Sequence, residues 1–312
     1  MSGIPNVLTI AGSDPSGGAG IQADLKTFAA HGVYGMAAIT ALTAQNTRGV
    51  SGVEPVSPKF VARQIETVFD DIRVDAVKIG MLGNAGIVEA VAGALERHRP
   101  RWVVLDTVMV AKGGARLLAP QAVAALRDRL LPLADIVTPN LPEAAELTGD
   151  GAPQSREAMP ALAARLAAMG PRAVLLKGGH LGGAESPDYL ASAEGGHWLE
   201  GARIASRRTH GTGCTLASAV AARLALGHGL LRAVRGAKDY LAAAIAAAGM
   251  LEVGSGTGPV HHGYCGAGCA LSGGGRAITF RATSSSARPG ASAPSSSRCA
   301  PGWRRGRPRW PG

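Results

Sequence analysis

The chain has 312 residues, 46% of them hydrophobic, which supplies enough apolar surface for a sizeable core and excludes wholesale disorder. Its formal net charge of +10 suggests a polyanionic partner, yet residues 263–312 carry eight arginines and no acid. The remaining 24 basic residues face 22 acids, or +2 over residues 1–262, so no specific nucleic-acid partner is expected. Cys214 is the one cysteine before residue 263, with Cys265, Cys269 and Cys299 beyond it, which excludes a disulfide framework for the body and fits a reducing, cytoplasmic setting. The longest apolar run, residues 241–251, covers about half of the roughly 20 residues that a bilayer-spanning helix needs. The N-terminus has no basic region ahead of its first apolar run, so neither a membrane span nor a secretory signal is expected.

In chain order, residues 7–11 read as a strand, followed by a glycine-rich turn over 12–20 and a helix over 19–31. A strand over 37–42 precedes a helix over 58–71, and a strand over 76–79 precedes a helix over 85–97. The strand at 102–106 is followed by a helix over 120–130, the strand at 136–138 by a helix that Pro142 initiates, and a helix over 156–169 leads to the strand at 173–177. A last helix is expected over 214–226. Short β-branched or apolar runs alternating with helical periodicity predict an α/β protein in three layers: a central, mainly parallel sheet with helices on both faces. Ligands of such sheets sit at the carboxyl ends of the strands, where the polar and glycine-rich segments fall.

After His262 the sequence turns into serine, alanine, glycine, proline and arginine, and the expectation for 263–312 is a disordered tail. So abrupt a change also matches translation of a GC-rich gene in a shifted reading frame.

The sharpest chemical segment is THGTGCTLA over 209–217. Gly211 and Gly213 around Thr212 let the backbone turn tightly and aim successive N–H groups into one space at the start of a helix, an anion-binding cup suited to a phosphoryl group in transit. Cys214, in the first helical turn, is placed where thiolate is favoured and can take a proton from an alcohol; as a lone cysteine it reads equally as core. No G-x-x-x-x-G-K-[ST] occurs, and the turn at 12–20 fits G-x-G-x-x-G badly. Asp24 lies one turn into the next helix, as a ligand-facing carboxylate or simply as an acid near a positive helix end. Asp106 and Glu143 follow strands as magnesium ligands often do, although Glu143 suits plain helix capping as well. Lys177 ends a strand and either meets polyphosphate or snorkels.

Taken together, the segments LTIAGSDPSGGAGIQADLKTF (8–28), ITALTAQNTRGV (39–50), KIGML (78–82), VLDTVM (104–109), TPNLPEAA (138–145), KGGH (177–180), THGTGCTL (209–216) and GPVHH (258–262) closely resemble the hydroxymethylpyrimidine/phosphomethylpyrimidine kinases, of ribokinase-like fold. The resemblance runs over nearly all of 4–262. It implies that ATP, with Mg2+, phosphorylates 4-amino-5-hydroxymethyl-2-methylpyrimidine and then its monophosphate. It further implies that Cys214 is the catalytic base and that Gly211, Thr212 and Gly213 form the anion hole. Asp24, Gln45, Met81 and Val108 match the lining of the pyrimidine pocket; an amide such as that of Gln45 offers a donor and an acceptor to an aminopyrimidine edge. Asp106 and Glu143 match the magnesium and phosphate region, Thr209 and Lys177 the nucleotide phosphates, and relatives of this kind suggest a homodimer. Pyridoxal or pyridoxine kinase is the nearest alternative, since that ring also carries a hydroxymethyl group and the fold is shared.

Overall fold

Alternation along the strands sets the layers. In the computed structural model, which describes residues 3–111, 114–153 and 155–264, Val103 and Leu105 of one strand join one hydrophobic cluster while Val104 between them joins another. The expected tail lies outside the described residues apart from Gly263 and Tyr264.

The chain starts with β1 (Asn6–Ala11), α1 (Gly20–Ala30), β2 (Tyr34–Ile39), β3 (Ala41–Asn46) and β4 (Gly49–Pro55). There follow α2 (Pro58–Asp71), β5 (Ala76–Ile79), α3 (Ala85–His98), β6 (Val103–Leu105), α4 (Pro120–Ala125), β7 (Ile136–Val137), α5 (Leu141–Thr148) and α6 (Met159–Ala167). The last elements are β8 (Ala173–Lys177), β9 (Asp188–Ser192), β10 (Gly195–Leu199), α7 (Thr212–Ala225) and α8 (Leu230–Ala246). Among the described residues, eight strands form one sheet in the order β10-β9-β8-β7-β6-β5-β1-β2. It is parallel from β8 to β2, and β9 and β10 close it as an antiparallel edge.

Side chains from α2 to α6 cover one face and those of α1, α7 and α8 the other, giving the three layers expected. Local chemistry starts several of these helices. Ser57 caps α2 by accepting from the Phe60 N–H, Pro58 fits its first position, and Asn84 caps α3 through the Ile87 N–H. Asn140 and Glu143 form a reciprocal capping box at α5.

Two expectations need correction. The strand expected over 37–42 is broken at Thr40, whose N–H bonds the Ala11 carbonyl; β2 belongs to the main sheet, whereas β3 and β4 form a separate antiparallel hairpin. The helix expected over 120–130 is α-helical to Ala125, then widens into one π-turn, Leu126–Leu130, and tightens into a 3-10 turn, Leu131–Leu133, before the chain extends at Ala134. No helix of the described residues is long and apolar enough to cross a membrane.

Candidate active site

The cup forms at the carboxyl edge of the sheet, where α7 begins. Its N-cap, Gly211, has φ of 76°, and a Cβ there would collide with the Gly18 carbonyl oxygen, so both conformation and close approach demand glycine. The helix starts at Thr212, two residues earlier than expected, so Thr212, Gly213 and Cys214 make up its first turn. The first helical bond runs from the Thr215 N–H to the Gly211 carbonyl at 2.9 Å, so the three preceding N–H groups lack helical acceptors and lie at the positive end of the helix.

Charged groups from two strand ends face this turn, with Glu143 of α5 beside them. Asp106, just after β6, is 1% exposed; its Oδ1 accepts from Thr138 Oγ1 at 3.2 Å and pairs with Lys177 Nζ at 3.3 Å, while its Oδ2 is buried without a partner. A Cβ built on Gly213 would lie 3.6 Å from both Asp106 Oδ2 and Lys177 Nζ, so the helix start abuts the ion pair. Burial disfavours the Lys177 ammonium, but Asp106 and Glu143 outweigh it and hold its pKa above the ordinary lysine value. Glu143 is committed to structure through Oε2, which accepts from the Asn140 N–H at 2.9 Å and Thr107 Oγ1 at 3.1 Å. Burial pushes its carboxyl up, against the pull of Lys177.

Beneath Cys214 lies a fully enclosed ion pair that the sequence did not announce. In β5, Ala76 and Lys78 face the α1/α7 side, and Lys78 Nζ meets both oxygens of Asp24 at 2.9 Å. Thr9 Oγ1 donates to Asp24 Oδ2 at 2.7 Å and Ser218 Oγ to Oδ1 at 2.6 Å, and all four residues are 0% exposed. Asp24 therefore differs from the pocket-lining carboxylate expected: its oxygens are taken by three side chains of the protein. Burial disfavours the Lys78 ammonium, yet Asp24, helped by Cys214 and Asp106, raises its pKa above the ordinary value.

The expected lowering of the Cys214 pKa is also overturned for the ligand-free protein. Burial pushes the half-buried thiol up to about 11, with Asp24 and Asp106 adding to the rise, while Lys78 and a backbone hydrogen bond from Gly20 oppose it. At neutral pH the resting residue is a thiol.

A second group of side chains stands beside the cup on the hairpin. A register shift at Ala44/Gln45, where β4 has an extra residue, re-aims Gln45 out of the regular ladder. Its amide nitrogen is 3.3 Å from His210 Nε2, and that same imidazole nitrogen is 2.8 Å from Asp14 Oδ2. The hairpin tip is tied down in turn: the Thr257 N–H bonds the Thr47 carbonyl at 2.8 Å, and the His210 N–H bonds the Gly258 carbonyl at 3.0 Å. Met81 lies next to Gly12, its sulfur 3.1 Å from where a Cβ on that glycine would stand, and Val108 is half-buried two residues beyond Asp106. Thr209, also half-buried, accepts from Thr212 Oγ1 through its carbonyl at 3.2 Å. Asp14, His210, Lys78 and Ser218 were the members that sequence reasoning missed; the first three lie inside the motifs quoted, but nothing local marked them for a role.

A helix-start cup, a thiol and opposed charges at the carboxyl edge of a mainly parallel sheet define a phosphotransferase of the ribokinase-like class. The family model described as phosphomethylpyrimidine kinase matches residues 14–261, and the chain belongs to that family. It is 55% identical over 257 residues to the hydroxymethylpyrimidine/phosphomethylpyrimidine kinase of Salmonella typhimurium, covering 82% of this chain and 97% of the relative. Among solved structures it is similar to the phosphomethylpyrimidine kinase of Clostridium difficile at 45% identity and a TM-score of 0.70, over 77% of this chain and 99% of the other. An ADP complex of Bacillus subtilis pyridoxal kinase aligns at 39% identity with a TM-score of 0.78, covering 84% of this chain and 98% of that one.

Proposed function

We propose that this kinase transfers the γ-phosphoryl group of ATP to the hydroxymethyl oxygen of 4-amino-5-hydroxymethyl-2-methylpyrimidine and then phosphorylates the resulting monophosphate, within residues 1–262. The observation that carries the reading is the meeting of the α7 first turn, Cys214 and the Asp106–Lys177 pair at one strand-end site. Backbone N–H groups of Thr212, Gly213 and Cys214 hold the charge that spreads over the moving phosphoryl group, and Lys177 and Thr209 serve the nucleotide phosphates. Having first released its own thiol proton to solvent, Cys214 as thiolate receives the alcohol proton as the new P–O bond forms and the bond to the leaving diphosphate breaks. Lys78 and the helix start favour the thiolate needed for this, whereas burial disfavours it. Gln45 meets the aminopyrimidine edge, Met81 and Val108 flank the ring, and Asp24 acts from below by fixing Lys78.

The unpartnered, buried Oδ2 of Asp106 suits a Mg2+ site built from one carboxylate, waters and phosphate oxygens. Glu143 fits less well as a direct ligand because Oε2 closes the capping box. Magnesium bound with the nucleotide would neutralise phosphate charge there. A homodimer belongs to the same proposal: the β3–β4 hairpin stands apart from the main sheet and exposes Leu42 (52%) on one of its faces and Val53 (43%) on the other, apolar side chains available to a second copy. A cytoplasmic location supplies the ATP.

The pyridoxal reading is favoured specifically by the structural likeness to the Bacillus subtilis enzyme. An ATP-consumption assay with mass analysis of mono- and diphosphate products tests both. A kcat/KM for pyridoxine more than about tenfold above that for the pyrimidine would overturn the substrate proposed here.

A further inference from the structure

We propose that Asp14 and His210 are positioning residues that fix which way round Gln45 presents its carboxamide, and so set the enzyme's preference for a ring edge with an amine beside a ring nitrogen. The inference rests on the reading above that Gln45 meets the substrate.

Proton accounting carries the argument. Asp14 is 2% exposed and holds four donors: the Ser16 N–H at 2.9 Å, Ser16 Oγ at 2.7 Å, the Ala19 N–H at 2.8 Å and His210 Nε2 at 2.8 Å. Burial alone would raise its pKa, but these bonds, with His210 and Ser16 foremost, lower it to about 2. Asp14 is thus an acceptor with no proton to give, and His210 Nε2 must carry the hydrogen between them, whether the ring is neutral or cationic. A nitrogen that donates cannot also accept from the Gln45 amide at 3.3 Å. The carboxamide therefore turns its oxygen toward His210, where it shares the single Nε2 hydrogen held mainly by Asp14 instead of setting its own N–H against it; the half-turn about the last torsion exchanges two atoms of nearly equal size.

Thr43 gives the same answer independently. Its hydroxyl hydrogen is spent on the Ser13 carbonyl at 2.8 Å, so toward Gln45, 3.3 Å away, Oγ1 offers only lone pairs and requires an N–H. Two neighbours of opposite demand thus select one orientation: oxygen on His210, nitrogen on Thr43. One lone pair and one N–H remain to face a ligand, which matches an exocyclic amine and an adjacent ring nitrogen. The hairpin bulge aims the side chain, and the Gly258–His210 bond holds the imidazole in place.

A double-mutant cycle on the full-length enzyme tests this, using Gln45→Ala, His210→Phe and both together, with KM measured separately for the hydroxymethylpyrimidine and for ATP. The expected result is a rise of about tenfold in the pyrimidine KM for each single variant, an unchanged KM for ATP, and less than about a twofold further effect of His210→Phe when Gln45 is already alanine. Additive effects would overturn the positioning role. An unchanged pyrimidine KM in Gln45→Ala would instead overturn the reading of the pocket itself. Should His210→Phe fail to fold, His210→Gln takes its place in the same cycle: its shorter amide cannot hold both Asp14 and Gln45, and the same non-additivity is required.

Discussion

The buried pair under the cup is the most exposing test of these energetics. In Asp24→Asn the shape is kept but the charge that balances Lys78 is removed, leaving an ammonium with 0% exposure and one fewer acceptor within 2.9 Å. Breaking a buried ion pair by removing one partner costs about 3–5 kcal/mol, since the survivor keeps its desolvation penalty and loses its compensation. For a domain of this size each kcal/mol moves the midpoint by about 2–4 °C, so Tm should fall by roughly 6–20 °C. The pH dependence has a definite sign. Without Asp24 the folded-state pKa of Lys78 drops below its unfolded value, the unfolded chain binds more protons, and the variant recovers stability as pH rises toward about 10. Urea unfolding followed by circular dichroism at several pH values measures both effects. The double variant Asp24→Leu with Lys78→Met should be more stable than Asp24→Asn, because no orphaned charge remains. A loss below about 1 kcal/mol in Asp24→Asn, or a double variant weaker than the single one, would refute the reasoning.

Cys214→Ala should reduce turnover by roughly 10² to 10⁴ while nucleotide titrations stay close to those of the parent, and unchanged turnover would remove the thiol from the mechanism. With Cys265, Cys269 and Cys299 replaced by serine, alkylation of Cys214 in the ligand-free protein should still be accelerating at pH 9, as its pKa of about 11 requires; a plateau by pH 8 would contradict that value. Gly213→Ala should fold, since its Cβ meets Asp106 and Lys177 at an ordinary 3.6 Å, yet lose activity by filling the cup, whereas Gly211→Ala should lower Tm markedly. Burial, with Lys26 and His261 adding repulsion, lowers the pKa of His262 to about 4 from an ordinary 6.5, so the folded state resists protonation. About 3 kcal/mol of stability should accordingly disappear as pH falls from 6.5 through 4, and acid titration of His262→Asn should show a shallower slope.

Parallel strands buried on both faces read as apolar runs, and β1, β5, β6 and β8 were legible on that basis. Where the run was not a single strand the reading failed: 37–42 is apolar apart from Thr40, and because threonine is at home inside strands it does not mark the place where the chain leaves the sheet. The antiparallel edge β9–β10 escaped because it is short, glycine-bearing and half-exposed. At the site, the glycines of the cup were legible because their backbone role is local. The partner of Asp24 was not, because Lys78 sits within the apolar run AVKI, where its burial depends on a helix 54 residues away in sequence. The thiol pKa failed for a related reason. Helix position, visible in sequence, argues for thiolate, while the burial that chiefly opposes it, and the acids from α1 and the end of β6 that add to it, come from tertiary packing.

The span of these contacts has a bearing on biosynthesis. His210 reaches Asp14 across 196 residues, Ser218 reaches Asp24 across 194, and Gly256 reaches Thr47 across 209. At a translation rate of about 5–20 residues per second, the nascent N-terminal segment waits roughly 10–40 s before its companions leave the ribosome. Throughout that interval Asp24 and Lys78 have no lid of helix α7 above them, and such non-local closure is slow in any chain. Phosphotransfer competence is thus acquired only after helix α7 has emerged, and chains stalled before that point would lack a working centre.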